Sequence, residues 1–455
     1  MSDTSPSIPP DTTFDGWDRL DWRQRRQRRF DRWFAARSVP FAGDEARRAY
    51  TERLQMFIDA LELKKPARVP VNAVMGFYPT KFGGLTLKES MYEFERAGAA
   101  WTAFYEHFQP DYQSMPVPPA SVFDKLGLQF IQWPGHGISE HTPWQYVEAE
   151  YMKAEDYDAL IADPSDWFRT TFLPRIGSAF APLAGLDSFV NMMEASMIWA
   201  NILPFANPAV LEAVRQISEA AQESFRYLLT TGMANGDAAA RLGIAPMVGA
   251  MGKAPYDVLA DTLRGTRGIV MDRFRQPEKI IAASERLTPL MTRWILNQLA
   301  IADAPACIFV LHKGADGFMS DADFRTFYWP TLKAVMLGLV EQGCVPLMFA
   351  EGGYNSRLQA IADDELPAGS VVWLFDHTDM AEAKRVLGGR ACIAGNVPSS
   401  LLAVGTAGEV ETYVNNLLDT CATDGGFMLM TGAVVDDAKP ETLKAMIDTG
   451  RAWNG

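Results

Sequence analysis

From Cys307 onward the chain repeats one pattern: a short apolar run, a turn marked by glycine or a charged residue, then a longer stretch of mixed polarity. CIFVLHKG precedes a helix expected over about 320–342, and VPLMFAEGG precedes one from about Asn355. VVWLFDHTD leads into a helix through Glu382 to Leu387, CIAGNVP into one over about 407–420, and FMLMTGAV into a closing helix from Pro440. Short apolar strands alternating with helices require right-handed crossovers and a parallel sheet buried on both faces. With a further strand at Arg68 to Val74 and a helix-rich middle, the pattern predicts an α/β fold of the TIM (β/α)8 type. A doubly wound open sheet is the alternative, but no GxGxxG phosphate loop follows any of these runs.

The amino-terminal part differs. MSDTSPSIPPDTT is polar and proline-bearing and reads as disordered, whereas the aromatics and arginines from Trp17 to about Arg37 have helical spacing. Residues 1–50 are therefore expected to be an N-terminal helical extension and 51–455 the barrel, with a helix capped by Asp44 joining the two. The run DWRQRRQRRFDRWFAAR suits three roles: a membrane or acidic surface, the acidic body of its own chain, or a second subunit. In the last case Trp22, Phe30, Trp33 and Phe34 would cover apolar surface across a homodimer.

At 48% hydrophobic and 22% charged, the composition is that of a globular protein, and a net charge of -14 argues against a nucleic-acid partner. The four cysteines are widely spaced, without a CxxC pair, and no uninterrupted apolar run approaches the ~18 residues a bilayer demands. A cytoplasmic chain without a transmembrane segment is expected.

In a parallel barrel, chemistry gathers where strands end at their C-terminal side. The apolar runs end at His312, at Glu351, at Asp376 with His377 and Asp379, at Asn396, and at Thr431 with Gly432. Two of the five histidines fall there. Glu351, His312, His377 and Asp376 are thus candidate catalytic groups, and His312, Glu351 and His377 are of the types that can hold a divalent metal. Asp376 and Asp379 also have the alternative of capping the next helix, and Asn396 that of shaping a turn. Arg357 either binds an anionic substrate group or pairs with Glu351 or Asp363, and Tyr354 is either a wall or proton donor of the site or plain packing. His136 and His141, in WPGHGISEH, lie in a loop of lid-like composition.

GADGF (314–318), FYWPTLK (327–333), GNVPSSLLAVGT (395–406) and AKPETLKAM (438–446) resemble the uroporphyrinogen decarboxylase superfamily, which includes decarboxylases and zinc-dependent methylcobalamin:thiol methyltransferases on a TIM barrel. The resemblance is strongest over about 300–450. Laid on this sequence, the decarboxylases' arginine-bearing segment becomes VMGFYPTKFGG, where Phe77 stands without an arginine; one Lys81 is not a bidentate carboxylate clamp. The decarboxylases' aspartate is echoed by Asp111. The methyltransferases' His-x-Cys and later Cys zinc ligands correspond to Phe349, Ala350, Glu351 and Gly432, so the soft donors are missing. The resemblance implies methyl transfer or O-demethylation of a small apolar or aromatic substrate, with the methyl accepted by a corrinoid on a separate protein; Asp111 and Phe77 from the resemblance, and Tyr354, Arg357 and Asn396 from the strand ends, are the candidate substrate contacts. Zinc or another divalent metal is the cofactor it suggests. A decarboxylase or lyase on a small carboxylic acid is the alternative, and a non-catalytic binding subunit the third reading.

Overall fold

Strands of the sequence VPLMFA, VWLF and FMLMT carry no charge and bury every residue, so they are stable only with both faces of their sheet covered. The computed structural model describes residues 16–37 and 39–455; the opening stretch read as disordered lies outside them. In chain order the strands are β1 (Tyr112–Gln113), β2 (Ile131–Gln132), β3 (Gln145–Tyr146), β4 (Ala245–Pro246), β5 (Val248–Gly252), β6 (Ala306–Leu311), β7 (Val345–Ala350), β8 (Val372–Phe375), β9 (Cys392–Val397) and β10 (Phe427–Thr431). The fold is α/β, built on a parallel sheet in the order β10-β9-β8-β7-β6-β5.

Pairing continues beyond this sheet. Asn72 N–H donates to Leu429 O and Leu429 N–H to Pro70 O, Asp111 N–H donates to Val71 O, and β1 pairs in parallel with β4, which runs into β5. The strand expected at Arg68 to Val74 is present as single parallel bridges, Val71 to Leu429 and Met75 to Val435.

Side chains alternate between two cores. Met348 and Ala350 face the helices, whereas Val345, Leu347 and Phe349 face a second core that also holds Phe30, Trp33, Tyr50, Leu54 and Phe57. Those last five come from the helices Trp22–Ala35 and Asp44–Leu61, which therefore seal one end of the inner core. The expected boundary at residue 50 falls inside the second of these helices, and its N-cap is Gly43 rather than Asp44, which sits in the first turn where its charge complements the helix dipole.

The arginine-rich helix packs on its own chain. Arg25 and Arg29 donate to the carbonyls of Glu341 and Gln342, Arg32 to that of Ala300, and Arg26 to Gly369 O and Glu62. Two long helices, Pro277–Ile301 and Trp329–Glu341, end at these carbonyls, so the guanidinium groups meet acceptors that a helix C-terminus leaves free. With Phe30 and Trp33 buried in the same chain, they are not available to cover a second subunit. Among the described residues no single helix is long and apolar enough to cross a membrane.

Candidate functional site

Strand register aligns the chemistry. Leu311 pairs with Ala350 and Ala350 with Phe375, so the residues that follow, His312, Glu351 and Asp376, stand in one row at the C-terminal edge of the sheet. His312 Nε2 lies 3.4 Å from Glu351 Oε2, and both side chains are about one-third exposed, at 35% and 36%. On its other side His312 Nδ1 is 2.6 Å from Asp261 Oδ2, whose carboxylate also meets Lys253 Nζ at 2.9 Å and Lys313 Nζ at 3.6 Å. Burial alone would raise Asp261, but the hydrogen bond from His312 and the charge of Lys253 overcome it and hold the group at about 2. Asp261 is therefore ionised and accepts from Nδ1, which leaves Nε2 directed at Glu351.

The neighbouring acids behave oppositely. Asp257 is fully buried and accepts from Tyr328 Oη at 2.7 Å and from the backbone N–H groups of His312 and Lys313. Burial and the charge of Asp261 push it up to about 6. Burial also raises Glu351, helped by the charges of Asp376, Asp261 and Asp257 and opposed by His312. For His312 itself burial acts downward, yet the hydrogen bond and charge of Asp261, with Glu351 behind it, leave the imidazole above its ordinary value. The result is an ion chain, Lys253 to Asp261 to His312 to Glu351, that ends in a carboxyl group biased toward holding a proton.

Asp376 accepts from Gly352 N–H at 3.1 Å, is raised by burial, and faces His377 at 3.5 Å. His377 points to solvent, 78% exposed, and does not join His312 and Glu351. Among the described residues no group of three or more His, Cys, Asp or Glu is placed to hold a metal ion. Phe349, Ala350 and Gly432 offer no sulfur or nitrogen side-chain donor either, so the donor set does not fit the zinc that the resemblance implied.

Other expected contacts fall elsewhere. Asp111 lies before β1, hence at the opposite, N-terminal end of its strand, fully buried under Arg68, Arg53 and Arg451. Arg357 is buried, donates to the carbonyls of Gly314 and Met319 and stacks over Phe324, so it pairs with neither Glu351 nor Asp363 and braces the turn after β6. Asn396 donates to Asp376 O and Thr378 O and accepts from Tyr413 Oη, which fixes the turn bearing Asp376. Asp379 caps the helix Met380–Leu387. Tyr354 is fully buried beside Tyr328, behind Gly314.

Phe77 ends the segment bridged to β10; its N–H donates to Asp436, and its ring meets Trp144 at 5.1 Å. Trp133 and Trp144, contributed by the β2–β3 hairpin, belong with Phe77 to one apolar cluster. His136, in the hairpin loop, stacks on Tyr92, and His141 lies 3.5 Å from Glu140. Lys81 pairs with Asp437.

Sequence reasoning missed Lys253, Asp257, Asp261 and Asp436. The signal was present for three of them: APMVGAMG is an apolar run, followed by Lys-Ala-Pro and two acids four residues apart on one helical face.

The chain belongs to the uroporphyrinogen decarboxylase (URO-D) family, whose model matches residues 200–453. Curated relatives include uroporphyrinogen decarboxylases of Chlorobium phaeobacteroides, 25% identical over 181 residues (38% of this chain, 49% of that protein), and Idiomarina loihiensis, 24% identical over 215 residues (45% and 58%). The chain thus spans about half the length of the curated relatives it matches. A solved methyltransferase from Methanosarcina mazei shares the fold, with a TM-score of 0.55 and 17% identity, over 88% of this chain and 98% of that one.

Proposed function

We propose that the eight paired segments form a TIM barrel and that its C-terminal edge is the active site of an acid–base enzyme. Its reaction is the removal or transfer of a one-carbon group from a small aromatic or apolar substrate, with O-demethylation as the leading case. The observation that carries this reading is the line Asp261, His312, Glu351. It delivers one proton to a fixed point, as cleavage of a methyl ether requires at the leaving oxygen. The proton passes to that oxygen, the C–O bond breaks, the product leaves as an alcohol or phenol, and the methyl group goes to an acceptor. A corrinoid carried by a separate protein supplies that acceptor when present. Phe77 and Trp133 are buried in one apolar cluster whose partly exposed ring is Trp144, a surface suited to an aromatic substrate and unsuited to one covered in carboxylates.

A panel of aryl methyl ethers tested with free cob(I)alamin decides it. Methylcobalamin absorbance should grow with the wild type and fall about 100-fold or more in Glu351→Gln and His312→Ala. No turnover of any ether would sink demethylation. The second reading, decarboxylation of a small acid, rests on Asp257 at about 6 and the raised Glu351, which can protonate the carbanion left by CO2. CO2 release without a corrinoid would establish it, and binding of either substrate without conversion would make the chain a binding subunit.

A further inference from the structure

The inward-facing row at the C-terminal edge does not end at Asp376. Met75 packs toward the helices and Val74 toward the inner core, as do Val310, Phe349 and Leu374, which stand two positions before His312, Glu351 and Asp376. Gly76, two positions after Val74, faces inward in the same way. A Cβ built on it would lie 2.1 Å from Asp436 Oδ1 and 2.7 Å from Val434 Cγ1. The carboxyl of Asp436 thus fills the space that a side chain at position 76 would take, on the face that carries His312, Glu351 and Asp376.

Only half of this carboxyl is used by the protein. Oδ1 accepts from Phe77 N–H at 2.9 Å, and among the described residues no donor meets Oδ2. Lys81 pairs instead with the next residue, Asp437, at 3.1 Å. Burial raises Asp436, opposed by the Phe77 hydrogen bond and the charge of Lys81. It is an acceptor partly withdrawn from water, with lone pairs to spare. Phe77 joins it to an apolar surface: the backbone of Phe77 holds the carboxyl, and its ring meets the partly exposed Trp144 at 5.1 Å.

We infer that Asp436 is a specificity-determining residue: its free oxygen accepts a hydrogen bond from a hydroxyl group on the substrate's aromatic ring, while the ring rests on Trp144. The inference stands on the reading of this edge as the site of an aryl methyl ether, and it narrows that class to phenolic ethers. Charge selects the substituent. Asp436 and the exposed Asp437 repel a carboxylate, and an ether oxygen has no proton to give, so the group that suits both the acceptor and the apolar platform is a neutral donor such as a phenolic hydroxyl. A purely structural role, closing the turn before the helix Tyr78–Phe82, would engage Oδ1 alone.

Titration calorimetry without a corrinoid tests it, with 2-, 3- and 4-methoxyphenol set against anisole. The best methoxyphenol should bind the wild type at least about tenfold more tightly than anisole, as a hydrogen bond to a charged acceptor provides. Asp436→Asn keeps an oxygen for Phe77 N–H but turns the free oxygen into an amide NH2, which cannot accept. It should bring the two affinities within about twofold, through weaker methoxyphenol binding and not tighter anisole binding. Gly76→Ala, whose Cβ displaces the carboxyl, should remove the preference in the same way. Equal affinities in the wild type overturn the inference, as does a preference that survives Asp436→Asn, or no binding of any of the four compounds. Turnover with cob(I)alamin is scored separately. A preference for methoxyphenols without methylcobalamin formation sinks demethylation and leaves the role of Asp436 in place, whereas methyl transfer from anisole and methoxyphenols bound equally well keeps demethylation and removes that role.

Discussion

Asp261 raises His312, and burial raises Asp257 and Glu351; both effects have the same sign. A group whose folded pKa is raised adds stability below its unfolded value, and loses that contribution as pH rises through the folded one. Asp257 and Glu351 should therefore make the fold less stable from about pH 4 upward, and His312 from about pH 6.5 upward. Urea unfolding at a series of pH values checks the slope. Glu351→Gln, which cannot ionise, should flatten it and raise the melting temperature at pH 8 by about 1–3 °C while activity is lost. Asp261→Asn should lower the pKa of His312, read by NMR of the ring protons, and cost about 100-fold in turnover. At this scale the sequence was informative for a definite reason: polar residues that directly follow apolar runs have nowhere to go but the strand ends, which located His312, Glu351 and Asp376. It was silent on orientation. Nothing in FDHTD says that Asp376 turns toward Gly352 and His377 toward solvent.

Among elements, the five strand–helix units from Ala306 onward were readable because each strand is a charge-free run bounded by a sharp turn. The unit containing β5 was not, because Pro246, Gly249 and Gly252 interrupt it and the following helix opens through a three-residue turn and a π-helical stretch. With it went both aspartates that organise His312. Asp111 was named from the resemblance and not from a strand end; it precedes its strand, which in a parallel sheet puts it at the edge opposite to His312 and Glu351. In the turn after β8, Asn396 ties the carbonyls of Asp376 and Thr378 together. Asn396→Ala leaves those carbonyls without this donor and should cost about 1–3 kcal/mol in urea unfolding, with a loss of activity because the turn that bears Asp376 is loosened.

Across the whole molecule, one carboxylate joins distant parts of the chain. Asp111 accepts from Arg68 through both oxygens and from Val71 N–H, and it also meets Arg53 of the helix Asp44–Leu61 and Arg451 of the last helix. Burial would raise this acid, but the three arginines, led by Arg68, hold it below its ordinary value. Its contribution is thus present above pH ~4 and lost as pH falls. Asp111→Asn leaves buried guanidinium groups without a counter-charge and should cost about 3–5 kcal/mol, measured by denaturant unfolding at neutral pH. The arginine-rich helix is tied in the same long-range way, and that has a consequence for biosynthesis. Its carbonyl partners lie between Ala300 and Gly369, and Phe30 and Trp33 share a core with Met428 and Met430. As the chain leaves the ribosome, residues 22–35 meet Glu62, Tyr50 and Phe57 early, but the carbonyls of Ala300, Glu341, Gln342 and Gly369 and the core methionines only late. The helix Trp22–Ala35 is therefore fully seated only after residues more than 300 positions further along have been made, and until then most of the carbonyls that its arginines meet are absent.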